Sequence, residues 1–369
     1  MASRVELSLD AQLDRMDRVR TARESRAILR DDHITMSHGS GGKATHTLID
    51  ALFIPAFANK SLDGFSDSSV MSLGAASADG ERFAFTTDSY VVSPLFFPGG
   101  DIGKLAINGT INDLAMSGAR PICLSLALIL EEGLDMDILR RVVDSLAAAA
   151  SAAGIPIVTG DTKVVPRGKA DQLFINTSGV GAVRAGLSLS AESIVPGDVV
   201  IVSGDLGDHG LAVMLAREAL ELETDIQTDS APLHLLVEAI LRAAPKTRLL
   251  KDPTRGGLAT TLNEIARKAG VGIAVSEELI PVKREVRGAC EILGLDPLQI
   301  ANEGKLVAII PAGQAEAALA AMRELPVGSG SAVIGEVTIE PEGMVVLRTP
   351  IGGSRVLDML VGDPLPRIC

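Results

Sequence analysis

The chain runs twice through an alternation of short apolar runs and longer stretches of helical period. A Pro196–Gly197 turn separates the two series. Such alternation restricts the fold to layered α/β architecture, because each amphipathic helix must bury one face against a sheet. In the first series Arg82–Thr87, Pro121–Glu131, Ile155–Thr159 and Leu173–Val183 read as strands. Asp101–Gly118 reads as a helix, and so does Met136–Ala153, with Met136, Leu139, Val142, Val143 and Leu146 on one face. After the Ser/Ala-rich stretch 186–193 and the turn, Val199–Ser203 opens the second series as a strand. Helices are expected at 207–221, 229–243, 256–269, 282–293 and 314–324, and strands at 271–275, 305–310 and 331–337. The expected organisation is an extension over 1–33, helical or disordered, α/β domains over 34–190 and 191–350, and a flexible tail over 351–369.

Composition narrows the function classes. A net charge of −13 argues against a nucleic-acid partner, and aromatic residues, at 2 %, are too few for base-stacking platforms. Cys123, Cys290 and Cys369 lie far apart with no metal-ligand spacing, which suits a reducing cytoplasm. The longest uncharged stretch, Ser145–Gly160, is interrupted by Gly154 and Pro156 and falls short of the roughly 20 apolar residues of a membrane span. A cytoplasmic protein without membrane contact is expected.

Five features carry chemistry. His38-Gly-Ser40-Gly41-Gly42-Lys43 can turn backbone N–H groups and a cation toward phosphates, although it lacks the Walker spacing and a turn before a helix would look alike. Asp67, Asp88, Asp113 and Asp252 stand at apparent element ends. Hard carboxylate oxygens gathered there suit a magnesium–triphosphate, whereas each alone reads as a cap or turn residue. Gly160-Asp161-Thr162-Lys163 follows an apolar strand. Asp161 can help hold nucleotide or metal and Lys163 can neutralise a transferring phosphoryl group, or the stretch is a surface turn. In Gly207–Gly210 the same choice arises for His209, where a helix N-terminus is the simpler reading. Glu303, in Ala-Asn-Glu-Gly-Lys before an apolar strand, is a general base if burial raises its pKa, and otherwise a turn residue. The last feature is Gly362-Asp-Pro-Leu-Pro-Arg-Ile-Cys369, where two prolines favour extended chain and Arg367 favours a thiolate. An extended arm ending in a thiol reads as a carrier of a covalently held group.

Taken in order, these motifs resemble the hydrogenase maturation HypE family of carbamoyl dehydratases. The resemblance spans about His38 to Cys369 and also includes Thr-Thr-Asp-Ser-Tyr-Val, Pro-Leu-Phe-Phe-Pro-Gly-Gly and Gly-Asp-Thr-Lys-Val-Val, with Pro-Arg-Ile-Cys as its most specific part. It implies a two-domain PurM-like (AIR synthase-like) architecture: an N-terminal, dimer-forming, ATP-binding domain, a C-terminal α/β domain, and a mobile tail. It also implies ATP and Mg2+, with Asp67, Asp88, Asp113 and Asp252 around the magnesium–phosphate cluster and Ser40, Gly41, Gly42 and Lys43 over the phosphates. Asn112, Asp161, Thr162 and His209 are counted with the nucleotide-binding set. By the same resemblance Cys369 carries a carbamoyl group that ATP converts from thiocarboxamide to thiocyanate, with Lys163 and Glu303 as catalytic groups. Implied partners are a second copy, the carbamoyltransferase HypF, and a HypC–HypD complex that takes the cyanide for the iron of nickel–iron hydrogenase. Two rival readings stay open. One is another ATP-dependent synthetase or kinase of the superfamily, such as a selenophosphate synthetase. The other is a non-catalytic ATP-binding scaffold with Cys369 as an iron ligand.

Overall fold

The computed structural model describes residues 33–39, 42–53, 56, 68–72, 82–218 and 224–359. The expectations for 1–32, for Ser40, Gly41 and Asp67, and for 360–369 with Cys369 therefore lie outside the described residues, whereas 351–359 of the expected flexible tail are described and include a strand at Ser354–Val356 that joins a sheet. A short helix α1 (Lys43–Leu48) is followed by β1 (Ser69–Ser72) and β2 (Arg82–Tyr90), and by a small ladder of β3 (Phe96–Phe97) with β4 (Gly100–Asp101). Then come α2 (Ile102–Met116), β5 (Ala119–Glu131), α3 (Met136–Ala153), β6 (Ile157–Val165) and β7 (Leu173–Val183). A five-stranded sheet runs β1-β2-β7-β5-β6, antiparallel except for the β5–β6 pair at one edge. A parallel pair needs a crossover, and α3 supplies it. Local chemistry fixes both ends of α3: the Asp135 carboxylate accepts the Asp137 N–H, and Gly154 adopts φ +72° as the left-handed cap.

Helix α2 is buried on nearly every side. Its first turn is capped by Asp101, which accepts the N–H groups of Gly103 and Lys104. It lies on the sheet face that carries Tyr90, Thr177 and Ala84, with the Thr110 and Thr177 hydroxyls bonded to each other. Gly109 lets the helix close on Tyr90, since a Cβ there would overlap the phenol oxygen. The sheet's other face is open and displays Phe85 and Ile129 with Thr87, Ser89 and Asn176.

The second half contributes β8 (Asp198–Val202), α4 (Asp208–Glu218), α5 (His234–Ala243), β9 (Leu249–Lys251), α6 (Gly257–Ala269) and β10 (Gly272–Ser276). It ends with α7 (Arg284–Leu293), β11 (Val307–Pro311), α8 (Ala312–Arg323), β12 (Ala332–Thr338), β13 (Val345–Arg348) and β14 (Ser354–Val356). Its seven-stranded sheet runs β14-β13-β10-β12-β8-β11-β9, with only β10–β13 parallel. One face packs Val200, Val202, Ile273 and Val307 against Leu258 and Leu262 of α6. The other packs Ile201, Ala308 and Ile310 against α5 and α8, and the last turn of α2 inserts Ala115 and Met116 into the same layer. The two halves thus share a core. No helix among the described residues is long and apolar enough to cross a membrane.

Three elements differ from the sequence expectation. The strand read as Arg82–Thr87 continues to Tyr90, so Asp88 lies inside a strand and not at its end. The strand read as Ile155–Thr159 runs Ile157–Val165, so Asp161–Lys163 also lie within a strand; as an exposed edge it carries no burial alternation to betray its length. The helix read as 229–243 starts only at His234, because residues before it bond elsewhere. The helix expected at 207–221 is seen over Asp208–Glu218, with 219–221 outside the described residues.

Candidate active site

The site forms where β2, α2, the segment 224–233 and the stretch Asn302–Lys305 meet. The segment 224–233 has no regular structure, so its polar groups need outside partners. The Thr228 N–H donates to the Pro98 carbonyl at 2.9 Å, and its hydroxyl lies 2.8 Å from His209 Nδ1. Asn108 of α2 donates to the Ser230 hydroxyl at 3.1 Å. Asn112, one helical turn on, accepts the Leu233 N–H at 2.8 Å and donates to the Ala231 carbonyl at 3.1 Å. These two asparagines explain why an otherwise apolar buried helix carries amides: they bind the segment to α2.

Asn112 also donates to the Glu303 carbonyl at 3.0 Å, while the Glu303 N–H donates to Asp229 Oδ1 at 3.0 Å. Asn302 bonds Gly207 N at 2.8 Å and the Pro253 carbonyl at 2.9 Å, which brings Asp252 beside Glu303. Glu303 is 4 % exposed. Burial pushes its carboxyl well above the usual carboxylate range, and the negative charges of Asp252, Asp88 and Asp229 push it further, against the pull of Arg255. Tyr90 is raised in the same way, by burial first and then by Asp88 and Asp113. Asp113 accepts the Thr86 hydroxyl at 2.7 Å across the helix–sheet interface. Lys305 Nζ lies 3.5 Å from Asp229 Oδ2. Asp88, Asp113, Asp252 and Asp229 thus gather negative charge around Glu303 and Tyr90, answered by Arg255 and Lys305.

That excess fits a cation carried in on a polyphosphate. Among the described residues no three His, Cys, Asp or Glu side chains already form a metal cage. Mg2+ is ordinarily held by one or two carboxylates together with the phosphates, so a preformed cage is not required. Asp88, Asp113 and Asp252 are the residues that would hold it.

Other expected residues are placed differently. Asn112 and His209 are buried and bonded to the protein itself, His209 with its ring edge-on to Phe97 at 5.6 Å. Both position the segment 224–233. Asp161 and Lys163 pair with each other at 2.9 Å on the exposed strand β6, and the bond from Lys163 holds the Asp161 carboxyl below its ordinary value. The register puts Asp161 in one row with Ala127, Asn176 and Ser89, on the open face of the sheet. Within one chain they therefore lie across the sheet from Asp88 and Glu303. Thr162 pairs with Leu128 on the same exposed edge. Gly42 is buried and precedes α1, and Lys43 Nζ lies 3.0 Å from Asp358, eleven positions before Cys369. Sequence reasoning missed Asp229 and Lys305. Asp229 lies in Thr-Asp-Ser-Ala-Pro-Leu, and its partner stands 74 positions away.

Gly304 has no room for a side chain: a Cβ would overlap the Asp229 carbonyl oxygen. Gly304→Ala should cost at least about 1–3 kcal/mol by overpacking, read from urea unfolding, and should move Glu303 with it.

Comparison with known proteins agrees over most of the chain. Residues 66–183 match the family model "AIR synthase related protein, N-terminal domain", and 195–348 match the corresponding C-terminal domain. Carbamoyl dehydratase HypE of Azotobacter vinelandii is 53 % identical over 345 residues, covering 94 % of this chain and 100 % of that protein. The crystal structure of a HypE–HypF complex superposes with a TM-score of 0.79 at 45 % identity, over 85 % of this chain and 99 % of that one. A HypE crystal structure in complex with ATP superposes with a TM-score of 0.75 at 49 % identity, over 91 % of this chain and 100 % of that one.

Proposed function

We propose, because this chain belongs to the carbamoyl dehydratase HypE family, that it consumes ATP to dehydrate a carbamoyl group held on Cys369. The observation that carries the reading is Glu303: a buried carboxylate pinned at both of its peptide groups, with its proton affinity raised by its surroundings. A turn glutamate has no need of such a setting. A base that must take protons from a weakly acidic amide does.

The chemistry sets the order of events. In the carbamoyl thioester, S–C(=O)–NH2, the carbonyl oxygen is a poor leaving group. Transfer of the γ-phosphoryl group of ATP to that oxygen releases ADP and turns it into a phosphate that can leave. One N–H proton leaves as the C=N bond forms. Breaking the C–O bond then expels phosphate, the second N–H proton leaves, and the product is the thiocyanate S–C≡N. Glu303 takes an amide proton from the tail. The magnesium ion, when bound with ATP, would neutralise charge on the phosphates. Lys43 with Ser40, Gly41 and Gly42 covers the phosphates, which requires Lys43 to exchange its Asp358 partner for them. Burial at Glu303 keeps water from the phosphorylated intermediate, which would otherwise hydrolyse.

Asp161 and Lys163 enter through a second copy. Their open sheet face, with Phe85 and Ile129 exposed beside Thr87 and Asn176, suits packing of two chains into a homodimer. Lys163 of one copy then serves a phosphoryl group held by the other. HypF loads the tail, as the complex of its relative with HypF supports, and a HypC–HypD complex accepts the cyanide. The compartment is the cytoplasm.

Mass spectrometry of the C-terminal peptide tests the reading. After incubation with HypF, carbamoyl phosphate and ATP, the peptide should gain one carbamoyl group. It should then lose one water only when ATP is hydrolysable. Retention of the carbamoyl mass with ATP present would refute dehydration. A superfamily kinase or a scaffold would leave the tail unmodified.

A further inference from the structure

We propose that Asp229 is a positioning residue for the reaction: its Oδ1 holds the main-chain N–H of Glu303 and so fixes the line along which the Glu303 carboxylate meets the tail. The inference rests on reading Glu303 as the base.

Asp229 has no local duty that would explain it. It lies five residues before α5, too far to cap that helix, whose Leu233 N–H is already taken by Asn112. Its side chain is 2 % exposed, so it does not serve the surface. One oxygen accepts the Glu303 N–H at 3.0 Å, and the other faces Lys305 at 3.5 Å without a hydrogen bond of its own. A buried carboxylate held this way is costly unless position matters. From the far side Asn112 holds the Glu303 carbonyl. The two peptide groups flanking the Glu303 Cα are therefore both clamped, one to the segment 224–233 and one to α2. Gly304 brings the Asp229 backbone into direct contact with the next residue, leaving no slack. Only the side-chain torsions of Glu303 remain free. A base needs that restriction, because proton transfer falls off steeply with misplacement.

Three variants of the full chain, loaded on Cys369 by HypF, test this. Asp229→Asn keeps an oxygen that can accept the Glu303 N–H. Asp229→Leu keeps the branched shape without the acceptor, and Asp229→Ala removes both. ATP-dependent dehydration should slow about 10- to 100-fold in kcat for Leu and Ala, with KM for ATP within about twofold. Asn should restore kcat to within about threefold of the parent. The proposal is overturned if Asn is as slow as Leu, if Leu is as fast as the parent, or if KM for ATP rises in step with the loss. Should Leu and Ala fail to fold, amide exchange of Glu303 in the parent decides: strong protection supports the clamp, and solvent-like exchange overturns it. A parent that does not dehydrate its tail at all would instead sink the functional reading, and is told apart by that control.

Discussion

Replacing Glu303 by Gln should give a protein that accepts the carbamoyl group and binds ATP, yet dehydrates the tail about 10²–10⁴-fold more slowly, the usual contribution of a placed base. It should also melt at a higher temperature than its parent when nucleotide-free. The physical reason is the negative neighbourhood of Asp252, Asp88 and Asp229 around a buried carboxyl. The sign follows from linkage. The folded-state pKa of Glu303 lies well above 4.5, so its contribution to stability is complete below the unfolded-state pKa and is lost as pH rises through the folded-state value. Gln cannot ionise and escapes that loss. The difference in melting temperature should be small in acid and grow toward neutral pH. A gain of about 1–2 kcal/mol, of the size common when a functional group is relieved of strain, shifts melting by about 2–4 °C per kcal/mol in domains of this size. Calorimetry across pH reads the stability arm, and quenched single turnovers read the rate. In the parent the rate should climb with pH through the Glu303 titration, because only the ionised carboxylate accepts a proton. A variant that is inactive but also less stable would mean that Glu303 serves the fold.

Cys369→Ala should abolish both mass changes at the C-terminal peptide while leaving ATP affinity within about twofold of the parent, because the residues proposed to hold the nucleotide do not include it. No other thiol can substitute. Burial, aided by Asp296, pushes the Cys290 thiol up to about 11, so it has almost no thiolate at neutral pH. Cys123 is half-buried within strand β5. Peptide mapping of all three cysteines after loading is the measurement. A carbamoyl mass on any peptide of the variant would remove the assigned role from Cys369.

Much of the fold was legible because its signals are local. Helix Met136–Ala153 and strand Leu173–Val183 match the sequence expectation at both ends. The helix carries its own caps in Asp135 and Gly154, and the strand alternates buried and half-buried residues along its length. Where the signal is long-range, reading fails. Thr-Asp-Ser-Ala-Pro-Leu looks like the start of a helix, yet the amides of Asn108 and Asn112, more than a hundred positions away, draw it out straight. Asp229 was invisible for the same reason, since its meaning lies in the Glu303 N–H. Glu303 was legible from the residues beside it, but its protonation chemistry was not, because that depends on charges brought in by three other segments. The strand around Asp161 read short because exposed edge residues need not alternate.

The segment 224–233 has a mechanical consequence. It is stitched to Pro98, to two asparagines of α2, to His209 and to the peptide of Glu303. Any hinge bending between the two halves would tear several of these bonds at once. In the proposed reaction, entry and exit of the Cys369 thiol would then resemble a key entering a lock whose frame stays shut, with no jaw-like gaping of the body around it.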